Sequence, residues 1–251
     1  MEIRLDGRTA LVTGASSGLG RRFATVLAGA GARVALAARR TDRLAALARE
    51  IESSGGVAHP VTMDVTDVAS VRAGVAAAEH ALGPIDILVN NSGISVTKRI
   101  ADVEEADYDH VMDTNARGMF FVAQAVGRSM LAGRRPGRIV NIASVAGLRV
   151  LGQLSVYCMS KAAVVHLTRS LALEWGRHGI NANALCPGYI ETEINRDYWE
   201  TDGGRKLVAM LPRRRVGKPE DLDALVLLLA ADASGFVNGA VIAADDGLSV
   251  A

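Results

Sequence analysis

The chain has 251 residues, 49% of them hydrophobic, with 28 Lys and Arg against 27 Asp and Glu. That length suits one large domain over residues 1–251, and the near-neutral balance argues against a nucleic-acid surface, which needs a basic excess on one face. No run is long and apolar enough for a membrane span, and the opening "MEIRLDGRTALVTG" lacks the apolar core of a signal peptide, so a cytoplasmic protein is expected.

"TALVTG" at Thr9–Gly14 reads as a first strand running into a glycine turn, "TGASSGLG", which opens a helix over Gly18–Ala30. Gly14 permits a tight turn, Gly18 lets backbone approach a pyrophosphate, and Gly20 lets the helix pack on the sheet. The helix amino end offers unpaired N–H groups to phosphates. Ser16, Ser17 and Leu19 belong to the same turn and are expected against the cofactor. The spacing is G-x-x-x-G-x-G rather than the more general G-x-G-x-x-G. The second strand, Ala32–Ala38, has Ala38 where an acid would accept from the ribose 2′-hydroxyl of NAD. Arg39 and Arg40 follow, and their guanidinium forks suit a 2′-phosphate, so NADP(H) is expected over NAD(H). The third strand, Ala58–Val65, ends in Asp64 and Val65, an acceptor and an apolar wall for adenine. The fourth, Ile85–Asn91, runs into "NNSG", where Asn91 and Gly93 are expected along the cofactor and Asn90 is expected to tie strand ends together.

The fifth strand, Gly137–Ser144, precedes a helical segment, Val156–His178, that carries Tyr157 and Lys161 four residues apart, hence on one face. A carbonyl reduced by hydride needs a hydrogen-bond donor and a proton. A free tyrosine, with a pKa near ~10, holds its proton tightly; a nearby ammonium lowers that value. Ser144 can donate a second hydrogen bond to the substrate oxygen. A sixth strand, Ile180–Gly188, and a last one, Gly239–Gly247, complete the set, and further helices are expected over Asp42–Ser53, Val68–Leu82 and Asp107–Ala132. Such alternation predicts an α/β doubly wound Rossmann fold: a seven-stranded, mainly parallel sheet with helices on both faces and ligand at the strands' carboxyl ends. Cys158 and Cys186 are too few for a disulfide framework and lack metal-ligand spacing; both are expected as small buried residues, and no metal is expected.

In this order, the glycine loop, Asp64–Val65, Asn90–Gly93, Asn115, Ser144, Tyr157, Lys161 and Pro187–Gly188 resemble the short-chain dehydrogenase/reductase family in its single-domain form, over nearly the whole chain. Ser92 departs from the alanine more common there. The resemblance implies that Tyr157 is the acid–base group, that Lys161 lowers its pKa and binds the nicotinamide ribose, and that Ser144 holds the substrate carbonyl. It implies that Asn115 positions a water linking Lys161 to solvent; chemistry alone reads Asn115 as a kinking or capping residue. Pro187, Gly188, Ile190 and Thr192 are implied along the nicotinamide, and a homotetramer is implied, with the helices near Asn115 and Tyr157 at one interface.

A substrate lid is expected over residues 189–212, with Tyr198 and Trp199 in it, and Leu148, Val150, Leu151 and Leu154 line the approach to Tyr157. These apolar walls favour an acyl chain or hydrophobic ketone. Arg205, Lys206 and Arg213–Arg215 could meet coenzyme A phosphates or an acidic carrier protein; the competing reading is a solvated basic loop before a helix near Pro219. The expected reaction is NADPH-dependent reduction of a ketone to a secondary alcohol, a 3-oxoacyl thioester first. The alternatives are a secondary-alcohol, steroid-like or polyol dehydrogenase and, from another class, a non-catalytic NADP-binding redox sensor.

Overall fold

Apolar runs too short for helices and flanked by glycine turns become strands in the computed structural model, which describes residues 3–193 and 195–251. They are β1 (Thr9–Thr13), β2 (Arg33–Ala38), β3 (Val57–Thr62), β4 (Ile87–Asn90), β5 (Gly137–Ile142), β6 (Ile180–Pro187) and β7 (Val241–Ala244). One sheet takes them in the order β3-β2-β1-β4-β5-β6-β7. Every neighbouring pair is parallel, so the mainly parallel sheet expected from sequence is parallel throughout. Each strand returns through a helical crossover, which is what parallel pairing demands. Pro60 sits inside β3 without breaking the sheet because β3 is an edge strand, where a missing N–H costs no ladder bond.

The helices are α1 (Gly18–Gly29), α2 (Thr41–Ser53), α3 (Val68–Leu82), α4 (Glu105–Met112), α5 (Met119–Ala132), α6 (Ser155–Trp175), α7 (Arg196–Trp199), α8 (Asp202–Met210) and α9 (Asp223–Ala230). Alternate strand residues face opposite layers. Ala10 and Val12 join Phe23, Leu27, Leu47 and Val226 in the core under α1, α2 and α9. Leu11 joins Val75, Val126 and Leu171 under α3, α5 and α6. The single helix expected over Asp107–Ala132 starts earlier, at Glu105, and is interrupted by a π-helical turn, Asp113–Gly118, that contains Asn115. Strand order reverses between β1 and β4, opening a crevice at their carboxyl ends. Among the described residues, no helix is long and apolar enough to cross a membrane.

Candidate active site

The crevice begins at the glycine turn between β1 and α1. Gly14 has φ +67°, and a Cβ there would meet Asn91 Nδ2 at 2.9 Å; a Cβ on Gly20 would lie 2.3 Å from the Gly14 carbonyl oxygen. Side chains are therefore excluded at Gly14 and Gly20, where the turn packs on itself and on Asn91. Asn91 braces this turn: its Nδ2 donates to the Thr13 carbonyl at 3.0 Å, and the N–H groups of Asn91 and Ser92 donate to Thr13 Oγ1 at 2.9 and 3.1 Å. Asn90 makes the expected tie between strand ends, donating to the Met119 carbonyl at 2.8 Å and Asn141 Oδ1 at 3.3 Å. The Leu19 side chain packs against the core, so the turn offers its backbone.

At the end of β2, Arg40 donates to Ser16 Oγ at 3.1 and 2.8 Å and to Ser17 Oγ at 2.6 Å. Among the described residues it has no acidic partner, so its charge is free for an anion at the glycine turn. Arg39 is exposed beside it. Burial pushes the Asp64 carboxyl up, but hydrogen bonds from Thr66 and the charge of Arg39 outweigh that and hold it below its usual value. Its Oδ1 takes the Thr66 N–H and hydroxyl at 3.0 and 2.8 Å. Val65 packs on the core beside it. A glycine-rich turn whose serine hydroxyls meet an unneutralised guanidinium fits a phosphorylated dinucleotide.

Beyond β5, Ser144 caps the short turn Val145–Gly147, its Oγ accepting from the Ala146 N–H at 3.1 Å, and its hydroxyl lies on the Tyr157 phenol's side, where it acts to lower the phenol's pKa. One turn along α6, Lys161 Nζ lies 5.7 Å from the centre of the Tyr157 ring and donates to the Ile142 carbonyl at 2.9 Å. Lys161 is 3% exposed. Burial lowers its pKa to about 8. Burial also raises the Tyr157 pKa, and the Ser144 hydroxyl offsets this only in part. In the protein alone burial is the largest influence on the Tyr157 phenol, because desolvation disfavours the phenolate. Cys158 and Cys186 are buried as expected, and burial pushes the Cys186 thiol up to about 11.

Asn115 Oδ1 accepts the Ile94 N–H at 2.8 Å, while Nδ2 donates to the Ile94 carbonyl at 2.8 Å and to Ser160 Oγ at 3.0 Å. Ser160 in turn donates to the Tyr157 carbonyl at 2.7 Å. The Asn115 amide joins the loop after β4 to α6. Ser160 was not anticipated; its signal is a hydroxyl three residues after the tyrosine, placed to bond back along the helix. Gly93 backs onto both Lys161 Nζ and Asn115 Oδ1.

Pro187 ends β6, the Gly188 N–H donates to the Ala244 carbonyl at 3.0 Å, and Ile190 pairs with Gly217. Thr192 then returns to within contact distance of Gly18, so this segment crosses over the glycine turn. Asn195, absent from the sequence expectations, holds the crossing. Its Oδ1 accepts from the Thr192 N–H at 2.7 Å and Trp199 Nε1 at 3.2 Å, and its Nδ2 donates to the Ile190 carbonyl at 2.9 Å. The expected lid supplies α7 and α8; its residue Ile194 lies outside the described residues. Trp199 packs edge-on against Tyr189 and Tyr198, with ring centres 5.6 and 5.2 Å away. Leu151 and Leu154 are partly buried, while Leu148 and Val150 face outward. Arg205 pairs with Asp202, and Arg213 and Arg215 pair with Asp246 at 3.1 and 2.7 Å. These arginines hold acids of their own chain, which favours the solvated basic loop over a coenzyme A contact.

A family model described as "Enoyl-(Acyl carrier protein) reductase" matches residues 14–249. A gluconate 5-dehydrogenase of Gluconobacter oxydans (strain 621H) is 41% identical over 250 residues, 98% of this chain and 96% of that protein. A sorbitol dehydrogenase of Cereibacter sphaeroides is 39% identical over 255 residues, 98% of each chain. The crystal structure of a gluconate 5-dehydrogenase from Burkholderia cenocepacia J2315 in complex with NADP and tartrate superposes with a TM-score of 0.95 at 39% identity, covering 100% of this chain and 98% of that one.

Proposed function

The chain belongs to the short-chain dehydrogenase/reductase family, oxidoreductases that act on CH–OH groups with a nicotinamide cofactor, and from that premise we propose that it interconverts a secondary alcohol and a ketone in a polyol or sugar acid, using NADP(H). The observation that carries this reading is similarity over nearly the full length to proteins named for gluconate and sorbitol. It favours the polyol alternative over the 3-oxoacyl thioester, and the internally paired Arg205, Arg213 and Arg215 point the same way. The unneutralised Arg40 over Ser16 and Ser17 supports NADP(H).

In this reading the bound cofactor supplies a hydride donor or acceptor. Gly14, Gly18, Gly20 and the backbone of Leu19 cradle the pyrophosphate; Ser16, Ser17, Arg39 and Arg40 take the 2′-phosphate. Asp64 and Val65 flank the adenine, Asn91 and Gly93 the adjoining ribose, and Pro187, Gly188, Ile190 and Thr192 the nicotinamide. Ser144 and Tyr157 hold the substrate oxygen by hydrogen bonds, and the Tyr157 hydroxyl gives up or takes the proton there. Lys161 holds positive charge over the face of the phenol ring and faces the ribose hydroxyls. Asn115 keeps α6 in position through Ser160. A homotetramer is part of the proposal, supported by Phe120 on α5 and Met159 and Leu173 on α6, all exposed apolar side chains.

The test is initial-rate reduction of NADP+ and of NAD+ with D-gluconate and with sorbitol, beside oxidation of NADPH with acetoacetyl-CoA. Turnover is expected with a polyhydroxylated substrate and NADP+. Arg40→Ala should raise KM for NADP+ about tenfold or more, with little change for NAD+, because a charge-assisted phosphate contact is lost. Turnover of acetoacetyl-CoA with neither polyhydroxylated compound active would restore the thioester reading.

A further inference from the structure

Between β6 and α7 the chain forms a strap across the crevice. Its base is fixed: Ile190 pairs with Gly217, and the Glu191 N–H donates to the Gly217 carbonyl at 2.8 Å. Its crown reaches the opposite wall. A Cβ on Gly18 would meet Thr192 Cγ2 at 3.6 Å, and Glu193 pairs with Arg43 of α2 at 3.2 Å. Asn195 joins this strap to the aromatic cluster of the lid. It precedes α7, where an asparagine ordinarily turns its oxygen to the free N–H groups of the helix. It makes no such bond among the described residues; the side chain turns back instead.

Its Oδ1 accepts from the Thr192 N–H at 2.7 Å and from Trp199 Nε1 at 3.2 Å, and its Nδ2 donates to the Ile190 carbonyl at 2.9 Å. Two of these partners can only donate and the third can only accept, so the amide has a single orientation. One oxygen thus holds the crown of the strap and the Trp199 indole together. Trp199 in turn packs edge-on against Tyr189, with ring centres 5.6 Å apart. Tyr189 leaves the sheet beside Ser144, because the ends of β5 and β6 are paired: the Ala143 N–H donates to the Leu185 carbonyl at 2.8 Å. A ligand that moves Thr192 therefore moves the acceptor shared with Trp199, and with it the rings on the substrate side.

Building on the reading above, in which the cofactor lies along Ile190 and Thr192, we propose that Asn195 is a positioning residue that couples the two halves of the crevice. The seated cofactor fixes Thr192, and the Asn195 oxygen carries that placement to Trp199 and Tyr189. Substrate therefore binds more tightly to the cofactor-loaded enzyme than to the protein alone, and by reciprocity substrate tightens the cofactor.

The experiment follows NADP+ binding by calorimetry and by tryptophan emission, with initial rates on D-gluconate, in wild type, Asn195→Ala, Asn195→Asp and Trp199→Phe. The chain has two tryptophans, and Trp175 lies against Gly127 at the end of α6 away from Tyr157, so Trp199 reports on the lid. NADP+ should change the emission of wild type and not that of Trp199→Phe. In Asn195→Ala the Kd for NADP+ should stay within about threefold, the emission change should be lost, and KM for D-gluconate should rise about tenfold with kcat nearly kept. Aspartate keeps the shared acceptor, so Asn195→Asp should regain the emission change and most of the KM. Trp199→Phe removes only the indole donor and should raise KM about fivefold, and adding it to Asn195→Ala should cost nothing more. An emission change kept in Asn195→Ala, or KM losses that add, would overturn the proposal. So would loss of NADP+ binding in Asn195→Ala, which would reduce Asn195 to a prop for the cofactor site. If Asn195→Ala does not fold, an unchanged KM in Trp199→Phe overturns the coupling and a raised one upholds it. If wild type binds NAD+ in place of NADP+, the cofactor preference fails separately and NAD+ serves in the same titration. If D-gluconate is not oxidised, the substrate reading fails separately and the emission change alone decides.

Discussion

Among the described residues, Lys161 is a buried amine with one hydrogen bond, to the Ile142 carbonyl, and no acidic partner. Its pKa of about 8 lies below the 10.5 of an exposed lysine. Between those values the unfolded chain binds more protons than the folded one, so this group makes stability rise with pH there. Below about pH 8 the buried ammonium costs on the order of 3 kcal/mol. Lys161→Met should therefore be at least as stable as wild type by urea unfolding at pH 7, with the gap narrowing at pH 9.5, while kcat falls at least about a hundredfold. A variant destabilised at pH 7 would mean that more than Ile142 holds the ammonium. Tyr157 and Lys161 were legible as a pair because helical periodicity is local. The direction of the Tyr157 shift was not, because desolvation depends on everything packed around the phenol.

At the scale of elements, the π turn Asp113–Gly118 is where one segment positions another. The additional residue in the turn lets Asn115 reach both Ile94, after β4, and Ser160 on α6. Asn115→Ala would leave the part-buried Ile94 N–H and carbonyl and the buried Ser160 Oγ each short of a partner, at a cost of about 2 kcal/mol in urea unfolding. Ser160→Ala, which removes fewer bonds, should cost about 1 kcal/mol. Equal stability for Asn115→Ala and wild type would show that these bonds do not hold α6. Strands and helices were readable from apolar runs and glycine turns. The π turn was not, since "DTNARG" reads as ordinary helix until the partners of Asn115 are known, and Asn195 in the lid escaped notice for the same reason.

For the whole molecule, the parallel sheet gathers the glycine turn, Arg40, Asp64, Asn91, Ser144 and Pro187 at one edge. Phe120, Met159 and Leu173 are 44%, 52% and 85% exposed on α5 and α6, an apolar surface that suits burial against another copy. Light scattering should give about four times the 26.3 kDa chain mass, and Phe120→Glu with Met159→Glu should give a smaller species that keeps its helical circular dichroism. A monomeric wild type would remove the tetramer. The amino-acid sequence by itself determined the βαβ alternation, the phosphate cradle and the Ser144, Tyr157 and Lys161 set, because each rests on the spacing of residues within one strand, turn or helix. Only the tertiary structure decided which charges remain free. Arg215 meets Asp246 across 31 residues of chain, whereas Arg40 meets no acid among the described residues. Charge neutralisation acts through distance in space, and sequence spacing does not report that distance.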